Sequence, residues 1–435
     1  MSLDTSRTDA AVASVEETSP APPAWSARAR RVLVGLTLGA LALRLGWLLI
    51  AQPAAVSDAL GYKSLAQRWV TEGLYERFHQ PTAWRTPGYI GFLGLGMLVS
   101  SSEIWLGFLN VLVATSVVPL VAALARRIGL SQRTALLAAG LAAVMPPLVL
   151  WAPVLGPENL QVPLLLGGLI LAGDRGRSRR SAISSGLLFG LAILVRPESL
   201  VYLPVVALAM WPDAWRAVLR RSLAITAVAL VVCVPWVVRN QLQVGPVGFS
   251  SVGGVNFYLA HREDGYGFAP YDTTALAGMD EVEMSQQGYA LGRRSLAEQP
   301  SRLIGDVVAG TEALYGPPRY APYFSTRDFS EQGPYPLGIP PGLIAVVRAF
   351  NQIGWYYIAV LATLGWLGLV ARRHRATLVL TGMVAANWLC FAVVFWALAR
   401  YRFPIEPMLC IAAAATLSSE ATLIPGNRAQ AEVPW

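Results

Sequence analysis

Long apolar runs separated by short polar turns dominate this chain, and their lengths set the first expectation. Runs near 32–50, 104–125, 134–151, 154–173, 182–195, 198–211, 222–238, 352–370, 376–396 and 403–418 reach or approach the roughly 20 residues a helix needs to cross a bilayer. The pattern predicts an all-α integral membrane protein with about ten transmembrane helices. A further apolar run, "GYIGFLGLGMLV" (88–99), is too short to span and predicts a re-entrant or surface helix. Residues 58–73 differ in kind. Tyr62, Leu65, Ala66, Trp69 and Val70 recur at helical spacing, while Lys63, Gln67, Arg68, Thr71 and Glu72 take the other face. That predicts an amphipathic helix lying in the membrane interface.

Composition agrees with the pattern. The chain is 54% hydrophobic and 14% charged, whereas a soluble domain carries about 25% charged residues. The net charge of +8 comes almost entirely from arginine, and it does not imply nucleic acid, because cytoplasmic loops of membrane proteins collect Arg. Cys233, Cys390 and Cys410 all lie in apolar runs, which suggests neither a disulfide framework nor a cysteine metal site. Residues 1–27 are polar and Ala/Ser/Pro-rich without apolar period, the signature of a disordered tail.

Arginine placement tests the span count. Clusters stand at 28–31, 125–133, 174–180, 215–221 and 371–375. Ten spans with a cytoplasmic N-terminus put every cluster on the cytoplasmic side. Merging 182–195 with 198–211 would split them between faces. The chain then divides into a cytoplasmic tail (1–27), an N-terminal transmembrane module (28–238) with first outer loop 51–103, an outer loop or cap region (239–351) with little regular structure, C-terminal transmembrane helices (352–418) and a second tail (419–435).

Four arginines break the positive-inside bias. Arg196, Arg239, Arg400 and Arg402 stand at span ends on the outer face, in "VRPES", "PWVVRNQ" and "ARYRFP", opposite Asp58, Glu158, Glu198 and Glu406. Ionisable groups at membrane depth usually face a cavity or a partner, and a set of arginines suits an anionic phosphate, which a guanidinium grips bidentately. Blander readings exist for each. An Arg near a span end can snorkel to the headgroups, Glu406 can pair with Arg402 at i,i+4, and Glu158 in "GPEN" can be an exposed bend residue. Asp58, with Ser57, makes a good helix N-cap. Convergence on one face favours a functional set.

These residues carry a resemblance. An Asp after the first span in "SDALGYKSLAQRW", then "RTPGYIGFL", "VRPES", "PWVVRN" and "ARYRFPIEP", resemble in order and predicted side the GT-C membrane glycosyltransferases, nearest the branch with protein O-mannosyltransferases and lipid A aminoarabinose transferases. The resemblance covers about residues 30–418. It implies a GT-C fold with juxtamembrane helices in the first outer loop, and a transferase using a polyprenyl-phosphate-linked sugar on the extracytoplasmic face of a bacterial plasma membrane. It makes Asp58 the catalytic carboxylate and Arg196, Arg239 and Arg400 or Arg402 the phosphate-binding positions. Tyr62, Arg85, Glu158, Glu198, Asn240 and Glu406 accompany them on the supporting or acceptor side. Many O-mannosyltransferases carry an adjacent Asp-Glu pair, whereas Asp58 is followed by Ala59, so a glycan, lipid or protein acceptor stays open.

The chemistry suits such a donor. A sugar on a lipid phosphate already has its leaving group, and the chain holds neither a Gly-rich phosphate loop nor a dinucleotide fingerprint. The reaction needs a base for the acceptor hydroxyl and cations for the charge growing on the phosphate; single-step displacement inverts the anomeric carbon. No cofactor is expected, and a divalent metal is not indicated, since His79 and His261 are the only outer-face histidines. Tyr266, Tyr271, Tyr315, Tyr320 and Tyr323 serve either as sugar platforms or as interfacial anchors. A transporter or flippase of an anionic or lipid-linked substrate is the alternative from another class, though no paired repeat is visible.

Overall fold

The computed structural model describes residues 24–55, 57–174, 178–211, 213–262, 273–316 and 341–418. The chain starts with α1 (Ala27–Ala51), which Ser26 caps through its hydroxyl, then α2 (Ser57–Glu72). A two-residue-per-strand hairpin, β1 (Glu76–Arg77) with β2 (Gln80–Pro81), leads to α3 (Pro87–Met97). The bundle continues through α4 (Glu103–Thr115), α5 (Val117–Arg127), α6 (Gln132–Val144), α7 (Pro146–Leu150), α8 (Glu158–Ala172), α9 (Arg179–Val195), α10 (Val205–Ala209) and α11 (Trp215–Gln243). Then come α12 (Val252–His261), α13 (Glu281–Glu298), α14 (Arg302–Tyr315), α15 (Pro341–Ala371), α16 (Ala376–Trp388) and α17 (Glu406–Leu417).

Among the described residues, five stretches are long and apolar enough to cross a membrane: α1, the nearly continuous α4–α5 pair, α11, Ala345–Ala371 of α15, and Ala376–Val394. The other five expected spans are shorter or broken. The 134–151 run splits at Met145 into α6 and α7. The 198–211 run is no single helix but a 3-10 turn (Pro197–Tyr202) followed by α10. Likewise the last span opens as a 3-10 turn (Ala399–Ile405) before α17. Irregular backbone at membrane depth is tolerated only where protein surrounds it, and these are buried segments: Tyr202, Ile405, Cys410 and Ile411 are all fully enclosed. Packing there is close. A Cβ on Gly365 of α15 would meet the Ala412 carbonyl of α17 at 1.9 Å.

Arg44 shows how one break is repaired. Pro146 and Pro147 lack the N–H groups that would reach the carbonyls of Ala142 and Ala143 four residues back. Arg44, in the middle of α1 and fully buried, donates to Ala142 O (3.1 Å), Ala143 O (3.2 Å) and Leu148 O (3.1 Å). A mid-span arginine thus satisfies backbone oxygens that would otherwise lie unpaired in the membrane interior.

Contacts gather the arginine-rich turns at one end of the bundle. At one end Gln132 bonds Ser26, Arg127 pairs with Asp174 at 3.4 Å, Arg221 donates to Ser181 and Arg375 donates to the carbonyls of Arg127 and Ile128. At the other end lie α2, α3 and the helices between α11 and α15. The described part of 239–351 corrects the expectation of little regular structure, because it is mostly α12, α13 and α14. Amphipathic spacing explains this: α14 turns Asp306, Gly310, Ala313 and Leu314 inward and leaves Ile304 and Val308 exposed. Tyr266, Tyr271, Tyr320 and Tyr323 lie outside the described residues.

Candidate active site

The carboxylate of Asp58, in the first turn of α2, is held from two sides. Its Oδ1 accepts from Arg85 Nη2 at 2.7 Å, and its Oδ2 accepts from Arg400 Nη2. Both oxygens thus face guanidinium groups rather than the helix backbone, so N-capping is not their role among the described residues. The side chain keeps 40% of its surface open while Arg85 and Arg400 keep 19% and 22%, which leaves the acid the most accessible member of the trio. Burial alone would raise the Asp58 carboxyl, but Arg400 and Arg85 override it and hold the group well below the usual carboxylate range.

Local chain features place these groups. Arg85 follows the hairpin and precedes Thr86-Pro87, the start of α3, and its guanidinium lies 4.0 Å over the ring of Tyr62, one turn beyond Asp58 on α2. Tyr62 in turn meets Tyr89 of α3 edge-on at 5.2 Å. A Cβ on Gly88 would strike the backbone of Leu194 and Val195 at 2.7 Å, so glycine lets the start of α3 press against the end of α9. Thr86 Oγ1 donates to Val195 O at 3.1 Å in the same place.

That contact brings Arg196 to the site. It ends α9 in extended backbone and donates to both Glu158, the first residue of α8, and Glu198 in the 3-10 turn. Glu158 is 1% exposed, which excludes its reading as a surface bend residue. Tyr401 connects the two halves: its ring lies 4.9 Å from the Arg196 guanidinium and 5.4 Å from that of Arg400. Asn387 fixes this turn by donating to the Tyr401 carbonyl at 2.9 Å. The assembled set is Asp58, Tyr62, Arg85, Glu158, Arg196, Glu198, Arg400 and Tyr401, in which three arginines balance three carboxylates. Tyr401 and Asn387 were not singled out by sequence, although Tyr401 sits inside the "ARYRFP" motif.

Two expected phosphate ligands lie elsewhere. Arg402 is fully buried, donates to Glu406 at 2.8 Å and to Leu314 O at 3.2 Å, and stacks 3.6 Å over Trp355. Glu406 is therefore its partner in the interior, not an acceptor-side group. Arg239 is spent on backbone, donating to Thr82 O at 2.6 Å and Tyr75 O at 3.0 Å. Asn240 beside it is buried and donates to Gly248 O at 2.9 Å. Neither His79 nor His261 reaches the acid: His79 is at the hairpin tip, and His261 is buried against Asp306 at 3.1 Å. Among the described residues no three His, Cys, Asp or Glu side chains converge as a metal site. Tyr315 lies at the end of α14 with its hydroxyl buried.

Known proteins share this architecture. Residues 85–238 match the family model described as dolichyl-phosphate-mannose-protein mannosyltransferase. The archaeal oligosaccharyltransferase AglB from Archaeoglobus fulgidus, in complex with an inhibitory peptide and a dolichol-phosphate, superposes with a TM-score of 0.53 at 15% identity, over 90% of this chain and 50% of that one. The same organism's oligosaccharyltransferase in the apo form gives 0.51 at 13% identity, over 90% and 50%. The fold is that of the GT-C membrane glycosyltransferases. The chain is a multi-pass membrane protein that spans about half the length of the structures it matches. A search of curated protein sequences finds no match. The family match begins at Arg85 and takes in Glu158, Arg196 and Glu198, whereas Asp58 and Arg400 lie outside it.

Proposed function

We propose that this protein is a glycosyltransferase moving a sugar from a polyprenyl-phosphate donor to an acceptor hydroxyl of a glycan, lipid or protein on the extracytoplasmic face. The observation that carries this reading is Asp58, an open carboxylate bracketed by Arg85 and Arg400 where the bundle's irregular helix ends meet. The dolichol-phosphate of the similar AglB complex and the description of the matching family support a lipid-linked donor.

In this reading Asp58 takes the proton of the acceptor hydroxyl as its oxygen attacks the anomeric carbon. The bond from that carbon to the phosphate oxygen breaks, its electron pair leaves on the polyprenyl phosphate, and the anomeric centre inverts. Arg400 and Arg196, flanking Tyr401, meet the charge on the departing phosphate. A carboxylate tied to two guanidinium groups is a weak base, because its protonated form is disfavoured. An arriving phosphate competes for those same donors. Donor binding therefore loosens the clamp on Asp58 and raises its basicity only when a leaving group is in place.

The arginines, rather than a divalent ion, neutralise the phosphate in this account, since Asp58, Glu158 and Glu198 are each already held by an arginine. Transfer by purified protein is expected to persist in excess chelator.

The deciding test is Asp58→Asn with polyprenyl-phosphate sugars. Transfer should fall by about 100- to 10,000-fold while donor binding persists; unchanged transfer would remove Asp58 from the reaction. Mass spectrometry of envelope glycans, lipids and glycoproteins from a deletion strain would identify sugar and acceptor together.

A further inference from the structure

We propose that Glu281, in the region between α11 and α15, is a positioning residue that holds Arg85 against Asp58 through the irregular segment 82–86. The inference rests on the transferase reading for its kinetic consequence and on geometry for its substance.

The segment is itself neither helix nor strand, yet its backbone is bonded almost throughout. Thr82 N donates to Tyr75 O at 3.2 Å, and Thr82 O accepts from Arg239. Ala83 N donates to Glu281 Oε2 at 3.0 Å, and Ala83 O accepts from Ser251 N at 3.1 Å. Trp84 N donates to Thr82 Oγ1 and Trp84 O accepts from Ser250 Oγ, both at 3.0 Å. The Arg85 carbonyl accepts from Tyr75 Oη at 2.9 Å. Glu281 is the anion of this arrangement. Its other oxygen accepts from Thr82 Oγ1, and Oε2 also accepts from Ser251 Oγ at 2.9 Å. Arg239 is the matching cation on the carbonyl side.

A carboxylate that gathers donors from two separate segments fixes their spacing strongly, because charge-assisted bonds are about twice as strong as neutral ones. Two residues further on, the chain delivers the Arg85 guanidinium to Asp58. Glu281 is free for this task because Asp280 caps α13, accepting from Val282 N and Glu283 N at 2.8 Å each. Replacing Glu281 therefore leaves the helix start intact. The out-of-place arginine at 239 belongs to the same device, which explains why it does not join the phosphate cluster.

The test uses the full chain in nanodiscs, comparing wild type, Glu281→Ala and the milder Glu281→Gln by hydrogen exchange and by kinetics. The proposal expects amides 83–86 of Glu281→Ala to exchange about tenfold faster, with α2 and α3 unchanged. Turnover should fall roughly 10- to 100-fold at nearly constant donor KM, and the acidic limb of the rate profile should move towards ordinary carboxylate values, as in Arg85→Ala. If Glu281→Ala does not fold, Glu281→Gln carries the same expectations with smaller amplitude. Unchanged exchange at 83–86 overturns the proposal whatever the activity. Faster exchange with unaltered turnover and pH profile also overturns it. If wild type transfers no sugar from any donor, the functional reading fails, and the exchange measurement still decides whether Glu281 holds the segment.

Discussion

Arg400 and Arg402 stand two residues apart in one 3-10 turn and do opposite things. Arg400 reaches out to Asp58 at the open end of the bundle, with 22% of its side chain exposed. Arg402 turns inward to Glu406, and both are completely enclosed. The turn itself causes the divergence. In "ARYRFP" the Tyr401 ring points towards the cluster between Arg196 and Arg400, while Arg402 and Phe403 pack into the core. Charge at membrane depth thus serves one role where a ligand can enter and another where none can. The comparison can be broken from either side.

The largest effect should come from the interior. Arg402→Ala strands Glu406 without a counter-charge, and breaking a buried pair costs about 3–5 kcal/mol. We expect low yield and a strongly lowered unfolding temperature, with activity lost as a consequence. The double change Arg402→Met with Glu406→Leu should recover most of that stability, because an apolar pair of similar volume is often neutral. Arg402 Nη2 and Glu406 Oε2 have no partner among the described residues, so beyond the pair itself the double change forfeits the one bond from Arg402 to Leu314 O. A stable single variant, or a double variant no better than the single, would show that Arg402 is not an interior strut.

Arg400→Ala should invert this profile. Transfer should drop by about 100- to 1,000-fold, the scale for removing one donor to developing charge. The unfolding temperature should change little, since the site is partly solvated and Arg85 still faces Asp58. A large loss of stability with normal turnover per folded molecule would erase the contrast between the two arginines.

Proton linkage offers a subtler comparison. The Asp58 carboxyl is held well below the usual range by Arg400 and Arg85, which outweigh its partial desolvation. Its ionised form therefore contributes stability that is complete above the unfolded-state value of about 3.9, and that contribution is lost as pH falls below it. The difference in unfolding temperature between wild type and Asp58→Asn should stay constant from pH 5 to 8 and shrink only below about pH 4. A difference that varies near neutrality would mean the carboxylate is not clamped.

Sequence made the helical bundle legible because lipid imposes strong rules on apolar length. It also brought out Asp58, Arg196 and Arg400 as charges beside span ends, and Arg85 through the motif that carries the family resemblance. What it could not separate was Arg402 and Arg239 from that set, because a 3-10 turn and a helix end aim side chains in ways that spacing does not encode. Glu281 was silent for another reason: its partners are backbone and hydroxyl groups, those of Thr82 and Ala83 nearly 200 positions away. The broken spans were read as whole ones because hydropathy reports that a segment is buried but not whether lipid or protein surrounds it.

The smallest effect tests the residue between the two arginines. Tyr401 presents its ring to Arg196 and Arg400 and stacks on Phe391 at 4.7 Å, so its face, not its hydroxyl, connects the two halves of the site. Tyr401→Phe keeps that face and should leave transfer unchanged. Tyr401→Leu removes two cation–π contacts worth about 0.5–1 kcal/mol each at partly exposed positions, and steady-state kinetics should show a loss of roughly 5- to 30-fold with donor KM raised. If Tyr401→Phe proves as damaging as Tyr401→Leu, the hydroxyl rather than the ring is at work. Arg196 and Arg400 would then have to be treated as separate sites rather than one phosphate clamp.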